Sequence, residues 1–332
     1  MASSTSCCTV TQESIQEAYL RISSIIHKTP VLTSSNLNTL TGKQIFFKCE
    51  NLQKTGSFKA RGALNYVKCL MDQGNDGVAG VITHSSGNHG QALAWAAKQC
   101  GLECVVVVPE NAPACKLQAI KHYGATIIPC ESNMTARENT CEKMSQELKY
   151  AVVEPHNDLQ VMDGQGTVGL ELLEQVDDLD AVIVSVGGGG LVAGVAKCVT
   201  SKAPNIKVFC AEPEGKHLQH QLESKQSSTT SHGTLLNTIA DGIRVQHVGD
   251  KCFPLLLQCC QSLVFTLTDD EIKQATKDYP SNNPIHPLFQ MVVEPSAALP
   301  LAAVLKYNKQ LEGCQRIGLI LCGGNLNLDH LF

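Results

Sequence analysis

Long hydrophobic runs are absent from this 332-residue chain, and no stretch approaches the roughly 20 consecutive apolar residues of a membrane-spanning helix. Residues 1–5 lack the basic segment and apolar stretch that mark a secretory signal peptide. A basic excess is missing too, because 26 Lys and Arg stand against 31 Asp and Glu, for a net charge of -5. Nucleic-acid binding needs a basic face, so we expect neither nucleic acid nor a membrane as partner.

Cysteine is plentiful, with 16 residues, but the Cys-x-x-Cys spacing that is common in zinc sites does not occur. Several cysteines lie inside apolar runs, among them Cys104, Cys210 and Cys322. Free thiols that act as small core residues explain this placement better than the eight disulfides of a secreted protein. Free thiols imply a reducing compartment, so we expect a cytoplasmic protein.

Short apolar runs alternate with amphipathic stretches along most of the chain. The runs predict strands at 78–83, 103–109, 125–130, 181–186, 208–211 and 316–321. The amphipathic stretches predict helices at 89–99, 115–123, 136–148, 166–175, 191–201 and 297–310. Continuously apolar strands that alternate with helices are typical of parallel sheets covered on both faces. We therefore expect an α/β fold of two domains with open, twisted parallel sheets, in which 80–156 is a small domain inserted into a large one formed by 1–79 and 157–332.

Three loops rich in glycine or hydroxyl groups follow predicted strands, where open parallel sheets bind ligands. In the loop 83–90, backbone N–H groups at a helix start favour a carboxylate or phosphate, with a capped tight turn as the alternative. Four consecutive glycines, 187–190, are costly in chain entropy unless the backbone wraps closely around a ligand. They match neither a dinucleotide fingerprint nor a Walker A loop, so a single phosphate fits better than a dinucleotide, and a flexible turn is the alternative. The third loop, 321–325, predicts a plain turn or a further ligand contact.

Lys59 stands in a polar and aromatic turn, residues 55–62. A lysine in such a turn is usually a surface charge, whereas a lysine that forms a Schiff base must be partly desolvated. Pyridoxal phosphate chemistry requires such a lysine together with a phosphate site and a carboxylate-binding loop. The three features together therefore predict a pyridoxal phosphate enzyme.

These motifs resemble those of the fold-type II pyridoxal-phosphate enzymes of the serine/threonine dehydratase group, and within it most closely the eukaryotic serine racemases. The segments that carry the resemblance are 29–35, 56–62, 85–92, 164–167, 187–190, 211–213, 239–242, 294–295 and 322–325. The resemblance implies a homodimeric racemase that interconverts L-serine and D-serine and also eliminates water from serine, giving pyruvate and ammonia. A serine/threonine dehydratase with little racemisation and an aspartate racemase are the alternatives. A non-catalytic amino-acid sensor is the alternative from another class, although a sensor would not need Lys59.

The resemblance also assigns roles to individual residues. Lys59 is expected to be the Schiff-base lysine and the base on one face of the substrate α-carbon. Ser86 is expected to be the acid or base on the opposite face. Cys322 is expected to face the pyridine nitrogen and to leave it unprotonated. The implied cofactor-binding residues are Phe58, Lys59, Asn88, Gly187, Gly188, Gly189, Gly190 and Cys322. The implied substrate-binding residues are Ser85, Ser86, Asn88, His89, Arg137 and Gly242.

Two further sites of the group are only partly matched. A glutamate, an aspartate and a backbone carbonyl hold Mg²⁺ or another divalent cation in the serine racemases. Here Glu212 matches the glutamate, but the aspartate position reads Leu218. We therefore expect divalent cations to increase activity less than the resemblance suggests, and we expect Lys216 to place an ammonium near Glu212.

An ATP effector site is matched at Ser34, Ser35, Lys54, Thr55, Gln91 and Asn325, whereas its lysine reads Gln290. An insertion at 279–287 contains three prolines, which would break a helix.

Overall fold

The computed structural model of the protein describes residues 9–74, 77–227, 235–276 and 291–326. Its strands are β1 (Val31–Thr33), β2 (Gln44–Lys48), β3 (Gly80–Thr83), β4 (Glu103–Pro109), β5 (Thr126–Cys130), β6 (Tyr150–Val152), β7 (Ala181–Ser185), β8 (Lys207–Pro213), β9 (Val264–Leu267) and β10 (Arg316–Ile320). Its helices are α1 (Gln12–Ile22), α2 (Ser35–Thr41), α3 (Lys59–Asp72), α4 (Asn88–Cys100), α5 (Ala114–His122), α6 (Met134–Leu148), α7 (Leu159–Gln175), α8 (Gly190–Lys202), α9 (Leu218–Ser224), α10 (Phe253–Cys259), α11 (Asp269–Thr276) and α12 (Pro295–Lys306).

The larger sheet has six strands in the order β1-β2-β10-β7-β8-β9. β1 runs antiparallel to β2, and the other neighbours are parallel. The register places Leu319 of β10 opposite Phe47 on one side and Ile183 on the other. Every residue of β7 is buried, as expected for a strand at the centre of a sheet covered on both faces.

The smaller sheet has four parallel strands in the order β5-β4-β3-β6. Side chains of β4 alternate between two apolar clusters. Val106 and Val108 pack with residues of α3 and α4, whereas Val105 and Val107 pack with Cys130 and Cys141. Because successive side chains of a strand point to opposite faces, this sheet is also covered on both sides.

The expected α/β class with two parallel sheets is confirmed. The smaller sheet uses residues 80–152, and the larger one uses residues on both sides of that stretch. An inserted domain would have this arrangement, although the domain limits themselves stay a prediction. Among the described residues, no helix combines the length and apolar character needed to cross a membrane. The insertion at 279–287 and Gln290 lie outside the described residues.

Candidate active site

Loops from both sheets line a cleft of about 940 Å³. They follow β3, β7 and β10 at the carboxyl ends of these strands, the usual ligand-binding edge of parallel sheets. The predicted catalytic, cofactor-binding and substrate-binding residues all line this cleft. They are Phe58, Lys59, Ser85, Ser86, Asn88, His89, Arg137, Gly187, Gly188, Gly189, Gly190, Gly242 and Cys322. Their individual roles stay predictions.

Lys59 is the first residue of α3, so it begins a helix and does not lie in a turn as its neighbours in the sequence suggested. Its Nζ donates a hydrogen bond to the Pro155 carbonyl and lies 5.1 Å from the centroid of the Phe58 ring. Phe58 in turn donates its backbone N–H to the Cys322 carbonyl at 3.1 Å. Burial lowers the pKa of Lys59 to about 8. A lysine in this state is partly neutral near neutral pH and can act as a nucleophile or a base.

A buried network of four charges fixes the first turn of α3. Arg61 Nε donates to Glu50 Oε2 at 2.7 Å, and its Nη1 donates to Glu171 Oε1 at 2.8 Å. Lys48 Nζ completes the network at 2.6 Å from Glu171 Oε2. Two positive and two negative charges compensate one another, as burial of ionised groups requires. The network therefore ties the helix that carries Lys59 to β2 and α7.

The glycine loop after β7 provides a cradle for an anion. Gly189 has a φ of 96° in the left-handed region, and α8 begins at the next residue. The first N–H groups of a helix lack intrahelical acceptors and favour a phosphate. A Cβ atom on Gly188 would lie 2.1 Å from Cδ2 of His156. Gly188 is therefore needed for the close approach of His156.

Three neutral histidines surround the cleft. Burial lowers the pKa of His84 to about 4 and those of His89 and His156 to about 3. His89 Nε2 lies 3.0 Å from the Val153 carbonyl, which can only accept, so this nitrogen carries the proton. The other ring nitrogen, Nδ1, is then unprotonated and cannot donate to a carboxylate, so the backbone N–H of His89 in the first turn of α4 is the donor that this residue can offer to one.

Glu294 lines the cleft and forms a buried polar centre. Its carboxylate accepts two hydrogen bonds from Asn88 Nδ2, at 2.9 and 3.1 Å, and one from the Ser296 hydroxyl at 3.0 Å. The Cys322 thiol lies 3.7 Å from Glu294 Oε1. Burial raises the pKa of Glu294, and burial also raises that of Cys322 well above its usual range, so Cys322 is a neutral thiol.

Sequence reasoning assigned no role to His156 or Glu294. His156 reaches the glycine loop only because the fold brings two distant segments together, and no spacing could have revealed this contact. Glu294 was visible only as part of a short segment shared with a known group.

Ser86 differs from its neighbours in having a free hydroxyl. The Ser85 hydroxyl accepts a hydrogen bond from the Gly87 N–H at 3.3 Å. Arg137 Nη2 donates to the His84 carbonyl at 3.1 Å, while its buried Nε has no partner among the described residues. The Ser86 side chain lines the cleft and makes no hydrogen bond to any residue that the structure describes. It is therefore available to a bound substrate.

Two of the predicted ATP-binding residues lie at the cleft, and the roles of all six stay predictions. Gln91 and Asn325 line the cleft. Ser34 caps α2 by accepting the Leu37 N–H at 3.4 Å, and Ser35 is the first residue of that helix. Lys54 and Thr55 lie in a short 3₁₀ turn, and Asn325 donates to the Thr55 carbonyl at 2.7 Å.

The residues around Glu212 do not fit a divalent cation. Glu212 is buried, and its carboxylate accepts hydrogen bonds from the Leu218 N–H at 3.1 Å and the Thr266 hydroxyl at 3.2 Å. Burial raises the pKa of Glu212 to about 7 and lowers that of Lys216 to about 8. In the described part of the chain, no group of three or more His, Cys, Asp or Glu residues is placed to hold a metal ion.

A desolvated lysine beside a glycine-lined helix N-terminus, in an α/β cleft, defines a site for a cofactor with an aldehyde and a phosphate. Over residues 22–323 the chain matches the family described as pyridoxal-phosphate dependent enzyme, and it belongs to that family.

Similar proteins of this family cover nearly the whole chain. Serine racemase of Dictyostelium discoideum is 46% identical over 327 residues, which are 97% of each chain. Serine racemase of Homo sapiens is 42% identical over 323 residues, which cover 95% of this chain and 91% of the human one. The crystal structure of a pyridoxal 5'-phosphate-dependent aspartate racemase matches the fold with a TM-score of 0.91 and 41% identity, covering 97% and 98% of the two chains.

Proposed function

We propose that the protein is a pyridoxal-phosphate-dependent racemase that interconverts L-serine and D-serine and also eliminates water from serine to give pyruvate and ammonia. The observation that carries this proposal is the presence of Lys59, with its lowered pKa, and of the free Ser86 hydroxyl in the lining of one cleft. The similarity to serine racemases over nearly the full length supports it.

The chain's own groups suit pyridoxal phosphate. When bound, the cofactor would draw electrons from the substrate α-carbon and make its proton acidic. Lys59 would hold it through Nζ, and the first N–H groups of α8 would bind its phosphate. Phe58 would pack beside the ring, and Asn88 would bind the 3'-oxygen in exchange for one of its two hydrogen bonds to Glu294. The neutral Cys322 thiol would lie by the pyridine nitrogen without supplying a proton to it.

The substrate would be held by its carboxylate and would exchange protons on two sides. Ser85, Asn88 and the backbone N–H of His89 would bind the carboxylate at the start of α4, with Arg137 and Gly242 nearby. Lys59 would take the α-proton at Nζ on one side, and Ser86 would give or take one at its hydroxyl on the other. Racemisation needs both groups, whereas elimination of the β-hydroxyl from L-serine needs only the lysine side.

Chiral product analysis of the purified holoenzyme tests this proposal, with L-serine, D-serine, L-threonine and L-aspartate as separate substrates. We expect D-serine and pyruvate from L-serine. Pyruvate without D-serine would make the protein a dehydratase. Racemised aspartate with unchanged serine would make it an aspartate racemase, and no product with any substrate would favour a sensor.

Aspartate is the second candidate because three cationic side chains besides Lys59 line the cleft, those of Lys116, Arg137 and Arg244. A second substrate carboxylate would need one of them. Lys116 and Arg244 are already paired with Asp241, and Arg137 binds the His84 carbonyl. A substrate carboxylate at Lys116 or Arg244 would have to displace these pairs, which leaves the Nε of Arg137, unpartnered among the described residues, as the group for a second carboxylate.

We further propose a cytoplasmic homodimer that does not bind nucleic acid. The fourteen cysteines in the described part of the chain are free and eleven of them are buried, which suits a reducing compartment. The net charge of -5 opposes nucleic-acid binding. Activation by ATP stays a prediction, supported by Gln91 and Asn325 at the cleft.

A further inference from the structure

The loop between β8 and α9 turns a lysine into the protein interior. Gly215 and His217 both have left-handed backbones, with φ of 90° and 58°. Such a conformation is unfavourable for a residue with a side chain, so the His217 backbone must be stabilised by its surroundings. Between them, Lys216 is 1% exposed and is one of the largest fully buried side chains.

The Lys216 ammonium binds the base of a segment that lines the cleft. Nζ donates to the Val245 carbonyl at 2.5 Å and to the Gln246 carbonyl at 3.2 Å. The segment 235–246 folds back on itself, since the Leu236 N–H donates to the Arg244 carbonyl at 2.7 Å. Its cleft-lining residues are Leu235, Thr238, Ile239, Asp241, Gly242, Ile243, Arg244 and Val245.

The same contacts reach the glycine loop. Three residues after Gln246, the Gly249 N–H donates to the Gly188 carbonyl at 2.9 Å. The Lys216 ammonium binds the carbonyls of Val245 and Gln246. It therefore fixes the stretch of chain that connects the segment 235–246 to Gly249, which contacts the glycine loop after β7.

A divalent cation has no place in this arrangement. Mg²⁺ and Ca²⁺ need several oxygen ligands, but the Glu212 carboxylate is already used by the Leu218 N–H and the Thr266 hydroxyl. Leu218 contributes an apolar, buried side chain, and the ammonium of Lys216 would repel a second cation.

We propose that the residues around Glu212 do not hold a divalent ion, and that Lys216 positions the cleft-lining segment 235–246 through the carbonyls of Val245 and Gln246. Lys216 is a positioning residue, since it acts through that segment. Only the kinetic test with L-serine rests on the proposed function.

The first test adds Mg²⁺ to holoenzyme that has been treated with a chelator, and it measures melting temperature and bound metal by equilibrium dialysis. We expect no shift beyond the scatter of replicate scans and no stoichiometric metal. A saturable rise in melting temperature would overturn the inference. Because this test needs no turnover, it stands even if serine is not the substrate.

The second test compares Lys216→Met with Lys202→Met, which alters an exposed lysine at the end of α8. Met keeps the apolar stem of Lys216 and removes the ammonium. We expect Lys216→Met to lower the melting temperature and to raise KM for L-serine about tenfold with a smaller change in kcat. The visible absorbance of the bound cofactor should not change, because Lys59 is intact.

Lys202→Met should match the wild type in every measurement. If Lys216→Met also matched it, the inference would be wrong. If Lys216→Met yields no holoenzyme, Lys216→Arg decides, since it retains the charge and should fold. Failure of both variants would assign the position to packing and overturn the role of the charge.

Discussion

At the scale of the residue, burial determines what Lys59 can do. An exposed lysine is protonated at neutral pH, whereas removal from water disfavours the ammonium. The carboxyl group of Glu294 acts in the opposite direction and only partly offsets burial. The result is a lysine that is available as a nucleophile in the physiological pH range.

A pH-dependent rate follows for the capture of cofactor by the apoenzyme. Only the neutral amine reacts with an aldehyde, so the rate should rise with pH and level off above the pKa of Lys59, about 8. The measurement is the growth of cofactor absorbance after mixing, at a series of pH values. A midpoint near the ordinary value of 10.5 would contradict the burial of this lysine. Lys59→Ala is the control, and it should show no covalent capture at any pH.

At the scale of the element, buried charges fix α3 and α7 more firmly than surface charges do. Two lysines pair with glutamates on the same helix, α7. Lys48 meets Glu171 with both side chains at most 1% exposed, whereas Lys28 meets Glu174 with both about half exposed. The same chemical change at the two positions therefore isolates the effect of burial.

Lys48→Met should lower the free energy of unfolding by about 3–5 kcal/mol, because it leaves a charge without its buried partner. Lys28→Met should stay within about 1 kcal/mol of the wild type, as surface pairs do. Denaturant unfolding of the two variants measures the difference. Equal losses would show that the network does not hold these elements together.

The sequence predicts the βα units well where each unit is local. The run at 103–109 and the Asn88 loop were recognisable because strand, loop and helix follow one another. The sequence predicts the start of α7 at 166 rather than at Leu159, because glycines usually interrupt helices. Here a Cβ on Gly164 would lie 2.6 Å from the Cα of Gly62, so this glycine permits close packing of α7 on α3.

Contacts between distant segments were beyond the sequence. Lys48 and Glu171 are 123 positions apart, and neither their pairing nor the contact of His156 with the glycine loop leaves a local pattern. The glycine loop and Lys59 were recognisable as separate motifs, but their meeting in one cleft depends on how the two sheets pack. Tertiary packing therefore supplies what local propensity cannot.

At the scale of the whole molecule, an ion pair joins two elements that line the cleft. Lys116 of α5, which follows the smaller sheet's β4, bonds to Asp241 in the cleft-lining segment 235–246. Both residues line the cleft. The pair therefore connects elements of the two sides and should help to retain a bound substrate.

Lys116→Met should raise KM for the substrate up to about fivefold without changing kcat, in line with the modest strength of exposed ion pairs. Added salt should raise the wild-type KM in the same direction, since it screens such a pair. Lys143→Met is the matched control, because Lys143 pairs with Glu147 within α6 at 3.8 Å. An unchanged KM in Lys116→Met would show that the ion pair does not retain substrate.

The central claim is that two groups exchange protons with the substrate, Lys59 on one side and Ser86 on the other. The most direct test is the ratio of D-serine to pyruvate that Ser86→Ala forms from L-serine. Loss of an acid/base group costs about 10²–10⁴-fold, so D-serine formation should fall by that factor while much of the pyruvate formation persists. A fall of both products in the same proportion would contradict the account, because Ser86 would then bind the substrate without exchanging a proton with it.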